Sequence, residues 1–281
     1  MKWSSQAPCP TPCILGGEGS GLVVATGSSD KAKSLLDQRV SFFTPGAYGE
    51  YCVAPANAAL PLPDHIDYEQ GSMYQANPLT VQGFLTICEE NKFTSVASSA
   101  AASQVGKLLL SAATEAGITV VNFIRREAQV KILKDLGAEF VINRGQEGWE
   151  EEAQKVLAEQ KVQVFFDALG GPDAGKIIDQ LPNKAEVYSY GMLTGKPIEV
   201  GVLELIFKRK VVRGYYLYAD LDDPERAAKL FKGVTEKGAS GTFKSTVAAK
   251  FSQEQFQEAL KVMAAGASKG KVLIQNPNFG E

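Results

Sequence analysis

From about residue 71 onward, short apolar runs alternate with segments of helical period. Phe93–Ser98, Ile118–Ile124, Phe140–Ile142, Val162–Phe166, Glu186–Tyr190 and Val211–Leu217 each read as a strand. Between them Val105, Leu108, Leu109, Ala112, Ala113 and Ala116 recur at helical spacing, and Gly117 suits the C-terminal cap. Val130, Leu133 and Leu136 mark a second helix stopped by Gly137, and Trp149–Glu159 a third. Pro172 suits the first turn of a fourth, ending near Leu181. Strands and helices in strict alternation imply a parallel sheet with crossover helices, wound in both directions. The first 70 or so residues differ, being rich in Gly, Pro and short β-prone runs. Leu22–Thr26, Arg39–Phe43 and Glu50–Ala54 are the strands predicted there, with Pro61, Pro63 and Asp64 in a loop. Beyond Tyr218 the pattern predicts a helix over Pro224–Lys237, a strand over Lys244–Lys250, a helix over Gln253–Met263 and a strand over Lys271–Gln275. This tail is expected to return to the N-terminal β region. The chain therefore divides into residues 1–71, an α/β domain over 72–217, and a C-terminal segment over 218–281.

Composition narrows the function. The chain has 281 residues, 44% of them hydrophobic, enough for a sizeable core. A net charge of −3 lacks the basic field of a nucleic-acid binder. No apolar run approaches the roughly 18 residues of a membrane span. Cys9, Cys13, Cys52 and Cys88 form neither a disulfide framework nor a repeated CxxC pattern, which reads as reduced thiols in an intracellular compartment, mitochondrial or cytoplasmic. The N-terminus resembles neither a signal peptide nor an Arg-rich transit peptide.

Six alternating strands indicate a Rossmann-type domain, which needs small residues after its first strand so that backbone N–H groups approach a pyrophosphate. That segment is Ser99-Ala100-Ala101-Ala102-Ser103-Gln104-Val105-Gly106, not GxGxxG, and only Gly106 stands where close helix–strand packing needs glycine. Alone, the motif reads equally as an Ala-rich helix start. The second strand runs into Arg125-Arg126-Glu127, with guanidinium groups where an NAD enzyme usually carries an acid. Arginine offers planar, bidentate donors to a phosphate, which favours NADPH over NADH. The alternative is a solvated surface pair, and Glu127 either serves a ribose hydroxyl or begins the next helix.

Several segments together resemble the medium-chain dehydrogenase/reductase family. Gly16-Gly17-Glu18-Gly19-Ser20-Gly21 resembles its GxExxG turn, Gly46-Ala47-Tyr48-Gly49-Glu50-Tyr51 its GxYAEY strand, and Asn77-Pro78-Leu79-Thr80 the segment that opens its cofactor domain. Ser103-Gln104-Val105-Gly106, Leu136-Gly137-Ala138 with Phe140-Val141-Ile142, and Gly270-Lys271-Val272-Leu273 follow in the family's order. Leu205-Ile206-Phe207-Lys208, Arg213-Gly214-Tyr215-Tyr216-Leu217 and Tyr190-Gly191 resemble segments of mitochondrial-type 2-enoyl-thioester reductases. Quinone reductases share much of this framework.

The resemblance implies a Rossmann domain beside a GroES-like β-rich domain that is N-terminally short. It implies NADPH bound by Asn77, Ala102, Ser103, Gln104, Val105, Gly106, Arg125, Arg126, Tyr190, Gly191, Met192, Leu193, Tyr215, Tyr216 and Leu217. The substrate would be an enoyl thioester or a quinone, and the assembly a homodimer paired through sheet edges, with Val211–Leu217 as edge strand. The family's zinc enzymes carry His where Gly17 stands, and His65 is the only histidine, so no zinc is expected. The enoyl reductases take their proton from a Tyr before the GxExxG turn, and Met1–Leu15 contains none. Tyr74, just before Asn77, is the remaining catalytic candidate, while Tyr48 and Tyr51 read as packing residues. Three readings follow: an enoyl-thioester reductase represented by an incomplete chain, a quinone or enone reductase, and a nucleotide-binding module without catalysis.

Overall fold

The structure, a computed structural model, describes residues 13–266 and 269–276. Cys9 and most of Met1–Leu15 lie outside the described residues. The N-terminal part runs β1 (Glu18–Leu22), α1 (Asp30–Lys33), β2 (Arg39–Phe43), β3 (Ala59–Pro61) and α2 (Tyr68–Gly71). Its sheet is antiparallel in the order β1-β2-β3, with Glu18 opposite Phe43 and Leu22 opposite Arg39. Two expectations are corrected here. The strand placed over Leu22–Thr26 instead ends at Leu22. Its partner β2 begins only at Arg39, after a turn in which Asp37 takes a φ of 59°. The strand placed over Glu50–Ala54 is a run of bends and turns. The central strand β2 pairs with β1 and β3, and Glu50–Ala54 joins neither outer edge of this sheet. Tyr51 is consequently exposed, while Tyr48 meets the Phe256 ring edge-on at 6.0 Å.

The parallel-sheet part begins at α3 (Ala76–Asn91). It continues through β4 (Ser95–Ser98), α4 (Gln104–Glu115), β5 (Thr119–Ile124), α5 (Ala128–Asp135), β6 (Phe140–Asn143), α6 (Trp149–Glu159), β7 (Val164–Asp167), α7 (Gly171–Gln180) and β8 (Glu186–Ser189). It closes with α8 (Val202–Ile206), β9 (Val211–Gly214), α9 (Leu217–Asp222) and α10 (Pro224–Ala239). The six strands are all parallel, in the order β6-β5-β4-β7-β8-β9. This is the doubly wound Rossmann order: the first strand, β4, lies beside the fourth, β7. Phe123, Phe165 and Val187 of the sheet share one core cluster with Leu157 of α6 and Ile177 of α7. On another side Phe84 of α3 stacks on Phe166 at 4.2 Å. Each such ring, fully removed from water, contributes roughly 2–3 kcal/mol.

The run Val211–Leu217 is not one strand: it stops at Gly214, and Leu217 opens α9. Tyr215 turns away from the sheet because Gly83 leaves room for it; a Cβ on Gly83 would stand 1.9 Å from the Tyr215 hydroxyl. That hydroxyl donates to Asp220 at 2.9 Å.

The chain ends with β10 (Val247–Ser252), a 3-10 turn over Gln253–Gln255, α11 (Phe256–Ala265) and β11 (Lys271–Gln275), with β10 and β11 paired in a separate two-stranded sheet. Two compact units result. One holds the described part of Met1–Ala76, then Val247–Ala265 and the described residues from Val272; its antiparallel sheet fits a GroES-like part. The other holds Asn77–Thr246 and the described residues of Gly266–Lys271. The boundaries expected at 71/72 and 217/218 stand at Ala76/Asn77 and Thr246/Val247 in this division.

Candidate functional site

In an open parallel sheet, loops part where the strand order reverses, leaving a crevice at the carboxyl ends. Here the reversal falls between β4 and β7. The loop after β4 is the small-residue turn, with Ala101 and Ala102 fully buried and Ala100 held at a φ of 49°. Ser103 is the N-cap of α4, its hydroxyl accepting from the Gly106 N–H at 3.2 Å. Gln104 and Val105 follow as the first helical residues, whose N–H groups no intrahelical carbonyl reaches. Gly106 is sterically required, since a Cβ there would lie 2.3 Å from the Ala101 carbonyl oxygen. The Gln104 side chain is buried and donates to the Thr246 carbonyl at 3.0 Å, so it is committed to packing.

At the end of β5, Arg125 and Arg126 are exposed. Their backbone N–H groups donate to Gln129 Oε1 at 3.2 and 3.0 Å, which fixes the backbone of the turn that carries them. Neither guanidinium has an ion-pair partner among the described residues. Glu127 is the N-cap of α5, and its carboxylate accepts from Asn143 Nδ2 at 3.0 Å and Gln146 Nε2 at 3.1 Å. Of its two sequence readings, the structure takes the one that begins the next helix. Arg144, which sequence reading missed, follows β6 and donates its N–H to the Ile124 carbonyl at the end of β5. Its side chain is nearly buried and pairs with Asp173 at 3.1 Å. Nothing in its local sequence distinguishes it from a surface arginine.

After β8, Gly191 permits a close crossing: a Cβ there would lie 2.8 Å from the Ala168 carbonyl oxygen. Met192 and Leu193 are exposed. The Tyr190 ring meets Phe84 at 4.9 Å, its hydroxyl is sealed and unpartnered among the described residues, and burial, then the charge of Asp167, pushes the phenol well above its ordinary range. Tyr215 packs against the same Phe84 at 5.0 Å and is raised by burial and by Asp220. Tyr216 is exposed, its ring 5.3 Å from that of Tyr218 and tilted by 41°, and Leu217 sits in α9.

The fold thus brings Ala102–Gly106, Arg125, Arg126 and Tyr190–Leu193 to the carboxyl ends of one sheet. It spends the hydroxyl of Tyr215 and the amide of Gln104 on internal bonds. Asn77 is half-buried in the first turn of α3. In the N-terminal unit, Tyr74 is buried and its phenol is pushed up by desolvation. Ser99, which opens the small-residue turn, and Asp167, which the sequence did not single out, are fully buried at the crevice. The signal was an Asp ending the apolar run Val164–Phe166. Among the described residues no group of three or more His, Cys, Asp or Glu is placed to hold a metal ion, and no helix is long and apolar enough to cross a membrane.

Residues 105–236 match the zinc-binding dehydrogenase domain family. Mouse prostaglandin reductase-3 is 28% identical over 215 residues, covering 73% of this chain and 56% of that protein, so the chain spans little more than half its length. The mitochondrial enoyl-[acyl-carrier-protein] reductase of Caenorhabditis elegans is 26% identical over 272 residues, covering 94% of this chain and 78% of the relative. The crystal structure of an NADPH:quinone reductase candidate from Mesorhizobium loti superposes with a TM-score of 0.84 and 31% identity, over 92% of this chain and 77% of that one. Strand order, capped turn and these relatives agree: the chain belongs to the medium-chain dehydrogenase/reductase family, in its quinone-oxidoreductase-like branch.

Proposed function

We propose that this protein is an NADPH-dependent oxidoreductase that reduces the carbon–carbon double bond of 2-enoyl thioesters. The observation that carries the cofactor is the pair of unpaired guanidinium groups, Arg125 and Arg126, beside the capped turn at the sheet's switch point. The residues fit the group: Gly106 and Gly191 leave no room for a Cβ where backbones cross, and the α4 N-terminus presents N–H donors to a pyrophosphate. Arg125 and Arg126 would hold a 2′-phosphate. Ala102–Val105, Asn77 and Tyr190–Leu193 would line the rest, with Tyr216 and Leu217 at its margin. NADPH held there would supply the hydride that adds to the β-carbon of a double bond conjugated to a carbonyl. The protein's share is positioning, exclusion of water and custody of a proton. Tyr74 is the phenol we put forward for that proton; raised by burial, it stays protonated through neutral pH.

Enoyl thioesters are favoured by the segments Leu205–Lys208 and Arg213–Leu217, and by a relative named as an enoyl reductase that aligns along 94% of this chain. The second reading, a quinone or enone acceptor, is supported by the 31% identity to the Mesorhizobium protein. Two copies would pair along β9, the outermost strand, next to the exposed Leu203, Ile206 and Phe207 of α8 and its C-cap. Loss of NADPH absorbance with crotonyl-CoA and with a benzoquinone, at equal NADPH, tests the substrate. Faster turnover of crotonyl-CoA is expected, and faster turnover of the quinone selects the second reading. Protection by NADPH against thermal unfolding, without turnover of either, leaves only nucleotide binding.

A further inference from the structure

We propose that Asp167, acting through Ser99, is a positioning residue that holds the crevice between β4 and β7 open for the dinucleotide; the inference rests on the cofactor reading above. Asp167 ends β7 and Ser99 follows β4, so the pair spans the switch point itself. Ser99 Oγ donates to Asp167 Oδ1 at 2.8 Å and accepts from the Ala168 N–H at 2.8 Å. Oδ1 also accepts from the Leu169 N–H at 3.0 Å, and Oδ2 from the Gly170 N–H at 2.9 Å. Both side chains have no exposed surface.

A carboxylate without solvent is costly unless its lone pairs are met. Here neutral donors meet them, with no cation in an ion pair with Asp167 among the described residues. The donors all belong to loops. The loop after β7 needs this help: Gly170 and Gly171 take successive φ values of 62° and 68°, a backbone region that residues with a side chain rarely adopt. A third loop is laid on the same segment. Tyr190 N–H donates to the Asp167 carbonyl at 2.8 Å, Leu193 N–H to Ala168 at 3.1 Å and Thr194 N–H to Leu169 at 2.9 Å. The turns after β4, β7 and β8 are therefore fastened around one buried acid. These turns carry Ala102–Val105 and Gly191–Leu193. Because the carboxylate bonds loops and not helix or strand ladders, losing it loosens the crevice more than the core.

Ser99→Ala, Asp167→Asn and the double variant test this by nucleotide titration and by thermal unfolding without nucleotide. A hydrogen bond to a buried charge corresponds to roughly a tenfold to hundredfold change in affinity. Ser99→Ala is expected to weaken NADPH binding about tenfold, with the nucleotide-free midpoint lowered by only about a few degrees. The KM for NADPH should rise by more than kcat falls. The double variant should bind no more weakly than Asp167→Asn alone, since the two residues act as one unit. Parent-like NADPH affinity in Ser99→Ala, whatever happens to the midpoint, overturns the proposal. If Asp167→Asn does not fold, Ser99→Ala alone decides. A parent protein that fails to bind NADPH overturns the cofactor reading instead.

Discussion

At the scale of single residues, the proposed choice of NADPH rests on two side chains with no ion-pair partner among the described residues. Arg125 and Arg126 project from the end of β5, and the nearby acid that would suit a ribose diol, Glu127, is held by Asn143 and Gln146. Replacing both arginines by alanine should weaken NADPH by about a hundredfold, as expected for losing charge-assisted bonds to one phosphate. NADH should change no more than about threefold, because it has no 2′-phosphate for them to hold. Comparison of the two dissociation constants checks this, and equal losses would refute the assignment. Gly106 shows the opposite behaviour, for its role is steric and readable from its place after a small-residue turn. Tyr215 was expected at the cofactor from its segment. The vacancy at Gly83 and the carboxylate of Asp220, neither visible from residues 213–217, draw its hydroxyl inward.

At the scale of elements, legibility followed amphipathicity. Helices α4, α6 and α10 show one apolar face, and their spans follow from spacing alone. The helix α3 does not announce itself: Pro78, Leu79 and the stretch Val81–Cys88 are all buried, so no polar face marks a period. The end of α7 illustrates a different dependence. Lys210, with no exposed side-chain surface, donates to the carbonyls of Ile178 and Asp179 and pairs with Glu204 at 2.5 Å. It caps the last turn of a helix thirty-odd residues earlier. Lys210→Met should destabilise the parallel-sheet unit by about 3 kcal/mol, the usual cost of breaking a buried pair. Denaturant unfolding measures it, and a loss below about 1 kcal/mol would show that solvent replaces these bonds.

At the scale of the whole molecule, β9 ends the sheet with an edge that no strand among the described residues covers. Beside it Leu203, Ile206 and Phe207 are exposed at 66%, 60% and 75%, a concentration of apolar surface that a monomer rarely leaves bare. Phe207→Glu with Val211→Lys should convert a dimer into a monomer by light scattering, with NADPH affinity retained. A dimer that survives both changes pairs through some other surface, and a monomeric parent refutes the pairing altogether.

Period and punctuation, local properties of the chain, were enough to determine the strand–helix alternation, the turn at Ser99–Gly106 and the basic pair that follows β5. They were enough because a strand buried in a parallel sheet and a helix lying on it each leave their own spacing. The tertiary structure alone decided which strands exist in the N-terminal sheet, because a strand needs a ladder partner: Ala59–Pro61 pairs with β2, while Glu50–Ala54, with strand-like residues, pairs with none. It alone decided that Tyr215, Gln104 and Glu127 turn to internal partners, and that Ser99 meets Asp167 across the switch point. Those bonds join residues from five to 142 positions apart, and the folded chain, not local spacing, brings them within reach.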